Sequence, residues 1–412
     1  MSTTTLTPGT LRSAPIAVWQ RPLWIVSGQF GIVMLVMGGW GAIPNFKPKL
    51  YLALSLLSGI GVVVLGPRAR ARQIIISLPT LIFVTWWFAS YLWTPNRPAW
   101  QESTKADMPM LFAGVVIASL LPIEAIKRGL VIACHIAIGY AVFYTATHFT
   151  ASSATAGVPG WHAGYVHKNV MAPFLIFAIV ALISFEWRPR RRNLAILVSL
   201  VLIAGSQSTT TLGVGLALVP VGLVLTRLAA SDRRRSRVIM LFATFAAISI
   251  GTIGMLFAPA ILRARGKDLT LTSRTKIWSG VWAAIEKKPW QGYGVGGVWT
   301  NPTAEPTKSI LRGLGFIVVH SHNGYLELLL QLGVIGLASF MCLIVSYTYY
   351  GVELLRVDMR LGRFMILVSM IVLVVSITEV ATFSPWLVVL VMFNIIGLRS
   401  LRRPNTPRPR SY

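Results

Sequence analysis

The side chains best suited to proton and phosphate chemistry in this chain fall at two helix mouths. "GYVHKNVMAPFL" and "VHSHNGYLELLL" share a design, a His and an Asn within three residues and then an apolar run. The first mouth supplies His167, Lys168 and Asn169; the second supplies His320, His322 and Asn323. An imidazole ordinarily titrates near roughly 6.5, so it can accept a proton at neutral pH. A cation-rich stretch lies between them, with Arg263, Arg265, Lys267, Arg274 and Lys276. Guanidinium forks and ammonium groups bind phosphate oxygens. The acidic residues Glu102, Asp107, Asp268, Glu286, Glu305, Glu327 and Glu379 are scattered, and only His320 and His322 approach a ligand-like spacing. No metal and no cofactor are therefore expected. Cations and a neutral base without a carboxylate cluster suit a phosphate-bearing substrate, and the lipid setting suggests a polyprenyl diphosphate.

Each residue has a plainer alternative. Arg274, Lys168 and Arg265 could snorkel to lipid phosphates. His322 could cap a helix, although Asn323 can do that alone, and Asn169 and Asn323 could tie helix ends. His320 reads as a neighbour of the base, and His148 and His162 as interfacial residues with satisfied hydrogen bonds. Glu379 sits at the outer end of a span, where a carboxylate is costly unless paired or solvated. Its expected partner is an external Arg or His322. Tyr293 lies in "GYGVGGVW", whose glycines at 292, 294, 296 and 297 predict flexible or tightly turning backbone beside a site. It is counted among the substrate-binding residues.

The elements that position these groups follow from hydropathy. The 412 residues are 55% hydrophobic and 12% charged, about half the charge of a soluble domain. Apolar runs of roughly 18 or more residues match a ~30 Å hydrocarbon core. Spans are expected near 23–43, 50–66, 73–93, 108–121, 129–147, 170–186, 194–206, 209–228, 238–258, 324–350, 363–380 and 384–400. With both termini inside, the short cytoplasmic segments hold 24 of the 38 Lys and Arg, as the positive-inside rule requires. The expected organisation is a cytoplasmic tail over 1–22, spans over 23–258, a large external loop over 259–322, spans over 323–400 and a basic tail over 401–412. Within that loop "SRTKIWSGVWAAIEKKPW" places Ile277, Trp278, Val281, Trp282 and Ile285 on one face of a helix that Pro289 ends. Such a face suits the headgroup region. The fold class is an all-α polytopic membrane protein of about twelve spans, with one large external loop containing short helices.

The net charge of +26 resides largely in the short basic loops, so it speaks for membrane lipids and against nucleic acid. The first apolar run lacks a small-residue cleavage site and is expected to remain as a helix. Cys134 and Cys342 fall within spans and read as small core residues.

The order "HKN" (167–169), "SQSTTTLGVGLAL" (206–218), "GKDLTLTSRTKIW" (266–278), "KPWQGYGVGGVW" (288–299) and "HSHNGYLELLLQLGVIGL" (320–337) resembles the O-antigen ligase and polymerase family, most of all its exopolysaccharide polymerase branch. The resemblance implies a membrane glycosyltransferase of the bacterial inner membrane, its site facing the periplasm. It would pass glycan from undecaprenyl diphosphate to an acceptor hydroxyl. Carried over by position, Arg274 matches the family's loop arginine, His322 its essential histidine and Lys168 its earlier basic residue. Ser273 stands where the branch usually has Gly, and Gln331 where an acidic residue is common.

In such a site Arg274 and Lys168 would stabilise the leaving diphosphate, His322 would take the acceptor's proton, and one displacement would invert the anomeric centre. The expected partners are an undecaprenyl-diphosphate-linked oligosaccharide, an acceptor glycan or lipid A core, and a chain-length regulator protein. A polymerase of exopolysaccharide or O-antigen repeat units is favoured over a ligase to lipid A core. A transporter or flippase fits less well, because the chain shows no internal repeat and little charge within its spans.

Overall fold

The computed structural model describes residues 22–40, 48–67, 74–148, 154–155, 158–165, 167–208, 219–229, 238, 269–312, 314, 317–383 and 385–402. Helices dominate this set. We number the helices α1 (Leu23–Gly39), α2 (Pro48–Leu65), α3 (Leu78–Ala89), α4 (Arg97–Leu120), α5 (Ile123–Thr147), α6 (Lys168–Phe185), α7 (Pro189–Ser206), α8 (Val219–Ala229), α9 (Leu269–Ile285), α10 (Thr307–Leu311), α11 (Gly324–Leu354), α12 (Met359–Val375) and α13 (Trp386–Arg402). A two-residue antiparallel ladder pairs Ala154–Thr155 with Val158–Pro159.

Among the described residues three helices, α5, α6 and α11, are long and apolar enough to cross a membrane. Among the shorter ones, Leu23–Gly39, Lys49–Leu65, Leu78–Leu92 and Val219–Leu228 are also apolar. Apolar on nearly every face, such helices satisfy their own backbone and leave side chains to meet lipid or one another. The centre is α6, where Met171 to Leu182 are buried without a break. Around it Trp40 stacks on Phe177 at 4.9 Å and meets Trp386 edge-on at 5.4 Å, while Phe364 contacts both Phe185 and Phe393.

Several expected boundaries move, each for a local reason. The fourth span is the second half of α4, which begins at Arg97 because Asn96 accepts from the Ala99 N–H; most of the segment expected as external loop over 94–107 is helix. Asp358 caps α12 in the same way, so that helix runs over 359–375 and leaves Glu379 in the following loop rather than within the span. All but the first residue of the expected span over 238–258, and the first half of that over 209–228, lie outside the described residues, as does Arg265. Cys134 is buried as expected, but Cys342 is exposed on α11.

Two short helices, α9 and α10, occupy the segment expected as a large loop. The helix expected from "SRTKIWSGVWAAIEKKPW" ends at Ile285, four residues before Pro289, and turns follow. Its apolar face is covered by protein: Ile277, Val281 and Ile285 pack with Tyr293, Val298, Ile310 and Leu330. Trp282 is left 51% exposed, off the face that the periodicity assigned it to.

The largest departure from a regular helix is inside α11. At Gly333 (φ 66°, ψ −168°) the helix breaks, and the run from Pro289 to Gly294 docks into the break. Val334 N–H donates to the Pro289 carbonyl at 2.8 Å, Tyr293 N–H to Leu330 at 2.9 Å and Gly294 N–H to Gln331 at 2.8 Å. Trp86 Nε1–H serves the Leu332 carbonyl at 2.9 Å. These bonds supply partners to backbone groups that the kink frees, as a broken helix with a buried backbone requires. The glycines of "GYGVGGVW" are thus tight turns against helix backbone.

Candidate functional site

Glu379, just beyond α12, gathers the two helix mouths and α9. Its Oε1 accepts from Arg274 Nη2 at 2.9 Å and from Asn169 Nδ2 at 2.9 Å. Its Oε2 lies 3.6 Å from His322 Nδ1. The expected pairing of Glu379 with an external Arg is made by Arg274, while His322 stands near the same carboxylate without a hydrogen bond to it. The partners come from positions 169, 274, 322 and 379, so the cluster exists only in the folded chain.

Each side chain is held from behind. Arg274 sits one helical turn before Trp278, so the two share a face of α9. Trp278 Nε1–H donates to the Ser321 carbonyl at 2.8 Å, tying α9 to the loop that carries His322. In that loop Asn323 caps α11 by accepting from the Tyr325 and Leu326 N–H groups, and its own amide reaches the Ile377 carbonyl at 3.0 Å. The capping job is therefore Asn323's, which leaves the His322 imidazole for other work. His322 adopts a left-handed conformation (φ 53°), uncommon for a residue with a Cβ.

His320 Nδ1 accepts from the His322 N–H at 3.1 Å, and the two rings stand 4.0 Å apart. Burial, with the His322 charge as a second cause, pushes the His320 pKa down to about 4. A ring kept neutral near pH 7 retains the lone pair that this backbone bond requires. His167 does the parallel job at the other mouth, its Nδ1 accepting from the Asn169 N–H at 3.1 Å, and burial lowers its pKa as well, against the opposing pull of Glu379. Both act as supports that place their neighbours.

Lys168 opens α6 beside His167. Gly160 packs against it closely enough that an added Cβ would lie 3.1 Å from the lysine Cδ. Tyr293 is not brought to this cluster. It is buried between α9 and α11, where its hydroxyl donates to the Ala284 carbonyl at 3.1 Å. His162 and His148 are placed as expected, the first bonded to the Tyr165 carbonyl at 2.8 Å and the second stacked on Tyr144 at 4.6 Å.

A second network, not anticipated from the sequence, supports the first. Glu327 is 1% exposed, and its Oε1 accepts from Trp299 Nε1 and Gln331 Nε2, both at 2.6 Å, while Oε2 accepts from the Ser321 N–H at 2.8 Å. Three donors satisfy a carboxylate that would otherwise be costly to bury. Gln331 Oε1 in turn accepts from the Gly296 N–H at 3.0 Å, so the network links the glycine-rich turn to the residue preceding His322. The available signal was a Glu and a Gln four residues apart in an otherwise apolar run.

Among the described residues no group of three His, Cys, Asp or Glu is placed to hold a metal. What the cluster offers instead is a guanidinium, an amide donor and an imidazole converging on one carboxylate. Arg274 and Glu379 keep side-chain exposures of 18% and 17%, and His322 keeps 30%, so the pair is partly shielded and yet reachable.

Residues 193–341 match the family model described as O-Antigen ligase. Over 282 residues the chain is 24% identical to the exopolysaccharide production protein ExoQ of Rhizobium meliloti, a match covering 65% of this chain and 63% of that protein. The chain thus spans less than two thirds of that relative's length. Both likenesses agree with the resemblance expected from the order of the motifs, and with the apolar helices they support a multi-pass helical membrane protein. The matched segment includes Arg274, His322 and Asn323, whereas Lys168, Asn169 and Glu379 lie outside it.

Proposed function

We propose that the chain is a membrane glycosyltransferase that moves glycan from undecaprenyl diphosphate to an acceptor sugar hydroxyl, polymerising lipid-linked repeat units into exopolysaccharide. The observation that carries this reading is the convergence of Arg274, Asn169 and His322 at the two helix mouths. Attack by the acceptor oxygen on the anomeric carbon breaks the bond to the lipid diphosphate, which leaves with the electron pair. Arg274 offers parallel donors to the developing phosphate charge, and Lys168 and Asn169, from the first helix mouth, add a charge and an amide donor. His322 Nε2 takes the acceptor's proton, a contribution typically of about 10² to 10⁴ in rate. A single displacement inverts the anomeric centre, and no metal is required. Ligation of finished glycan to lipid A core is the second reading, favoured by the family model's description, and the relative's role in exopolysaccharide production favours the first.

The test is reconstitution. Purified protein in vesicles, given a lipid-diphosphate-linked repeat unit as sole glycan and excess EDTA, is expected to form a ladder of products. A single addition confined to lipid A core would select the ligase, and activity dependent on added Mg²⁺ or Mn²⁺ would reject the metal-free mechanism.

The site belongs on the periplasmic face of the inner membrane in this reading, with twelve spans and both termini inside. A reporter fused after Arg192 should stay cytoplasmic, and one inserted at Pro306, immediately before α10, should be exported. The opposite pattern would move the site to the wrong side of the membrane for a lipid-linked donor assembled for export.

A further inference from the structure

The position of Glu379 raises a problem that its contacts resolve. A carboxylate paired with the guanidinium meant for phosphate is a competitor of the donor. The same carboxylate stands 3.6 Å from His322 Nδ1, and that buried nitrogen has no hydrogen-bond partner among the described residues. Oε1 is committed to Arg274 and Asn169, and Oε2 falls short of the imidazole by less than 1 Å of a normal hydrogen bond.

Resting on the glycosyltransferase reading above, we propose that Glu379 is an exchangeable counter-ion coupling donor binding to the readiness of His322: the donor's diphosphate displaces Glu379 from Arg274 and Asn169, and the freed carboxylate closes onto His322 Nδ1. Three groups gain from the exchange. Arg274 passes from one carboxylate to a more highly charged diphosphate, a bidentate partner for its fork. The His322 Nδ1–H is accepted by Glu379, which fixes the tautomer that leaves the Nε2 lone pair toward the acceptor hydroxyl. When Nε2 has taken the hydroxyl proton and the new C–O bond has replaced the C–O bond to diphosphate, Glu379 faces an imidazolium and balances its charge. The proton then leaves for water or the departing diphosphate. Return of Glu379 to Arg274 helps expel the lipid diphosphate, which a bare cationic site would retain.

The side chain can move without the fold. Glu379 is anchored by its backbone, with its N–H donating to the Val375 carbonyl at 2.8 Å and its own carbonyl accepting from the Gly324 N–H at 3.1 Å. Around the exchange stand His320, His167 and Lys168, and the first two are held to backbone N–H groups. Glu379 is thus a positioning residue for His322 and a gate on Arg274, and the order of binding is donor first.

Glu379→Gln separates these roles from a structural one. It keeps a carbonyl oxygen for Arg274 and Asn169 but removes the charge that competes with diphosphate and that balances the imidazolium. Donor binding, measured with the lipid-diphosphate-linked repeat in the absence of acceptor, is expected to be unchanged or tighter, while kcat falls on the order of 10²-fold. Glu379→Asp, which retains the charge on a shorter arm, should recover part of kcat, and Arg274→Lys should weaken donor binding. Equal loss of donor binding and kcat in Glu379→Gln, or an unchanged kcat, would overturn the proposal. If instead the wild-type protein transfers nothing from a lipid diphosphate, it is the glycosyltransferase reading that fails.

Discussion

Replacing His322 by Ala is expected to lower glycan transfer by about 10² to 10⁴ while leaving the protein folded, membrane-inserted and able to bind the lipid-diphosphate donor. The geometry isolates the imidazole from the loop's own architecture. Asn323 caps α11, Ser321 takes Glu327 through its N–H, and the His322 backbone N–H is held by His320, none of which involves the His322 ring. The one risk to folding is the left-handed backbone at 322, where an Ala pays a steric cost of roughly 1–2 kcal/mol. His322→Asn removes that ambiguity. Asn tolerates this conformation and can still hydrogen-bond Glu379, but it cannot accept a proton at neutral pH. Both variants should bind donor as wild type does and fail to extend it. Near wild-type transfer by His322→Asn would show that the imidazole is not the base and that the "HSHN" turn serves only to start α11.

The parts of this site that were legible in the sequence are those in which side-chain type and local spacing carry the information. "HKN" and "HSHN" stood out because His and Asn at the edge of an apolar run are costly without a purpose, and the cations from Arg263 to Lys276 because positive charge with few carboxylates nearby suits an anion; the family resemblance picked Arg274 from among them. Glu379 could be recognised as needing a partner, but Arg274 lies 105 residues and Asn169 210 residues away along the chain, so only packing could say that one carboxylate serves both. Tyr293 was misplaced for the converse reason. A Tyr among glycines near a site suggests contact with a ligand, whereas Gly292 is there to pass close to the α11 backbone at Gln331, and Tyr293 beside it turns inward to Ala284. The apolar face of α9 could be counted from its period, but a period does not tell lipid from protein, and here Ile310 and Leu330 cover it. Helix starts at Arg97 and Met359 escaped hydropathy because caps at Asn96 and Asp358 begin helices in polar sequence that a hydrophobic window discards.

Gly333→Ala is expected to abolish recovery of folded protein. Gly333 lies at φ 66° and ψ −168°, a region that is essentially restricted to glycine and costs other residues about 1–3 kcal/mol. A Cβ there would also stand 2.2 Å from the Trp290 carbonyl oxygen and 2.5 Å from the Gln291 nitrogen, both backbone atoms without a rotamer to yield. Relieving that overlap means withdrawing the 289–294 turn, at a further cost of about 1–3 kcal/mol from forced backbone shifts. Withdrawal strands the Leu330 and Gln331 carbonyls and the Val334 N–H, buried groups worth about 1–3 kcal/mol each when left unpaired. Against a net stability of roughly 5–15 kcal/mol, the sum is enough to unfold the segment. The damage reaches the site through Gln331, which holds Glu327, which holds the Ser321 N–H beside His322. Gly139→Ala is the matched control, since Gly139 lies mid-helix in α5 with nothing within 4 Å of an added Cβ, and Ala there should leave stability unchanged or raise it by about 0.5–1 kcal/mol. In a thermal challenge read by size-exclusion chromatography in detergent, the Gly139 variant should match wild type and the Gly333 variant should aggregate. A Gly333→Ala protein that survives the challenge as wild type does would mean that the break in α11 is not locked by the glycine-rich turn, and that the "GYGVGGVW" backbone moves independently of the helix it lies against.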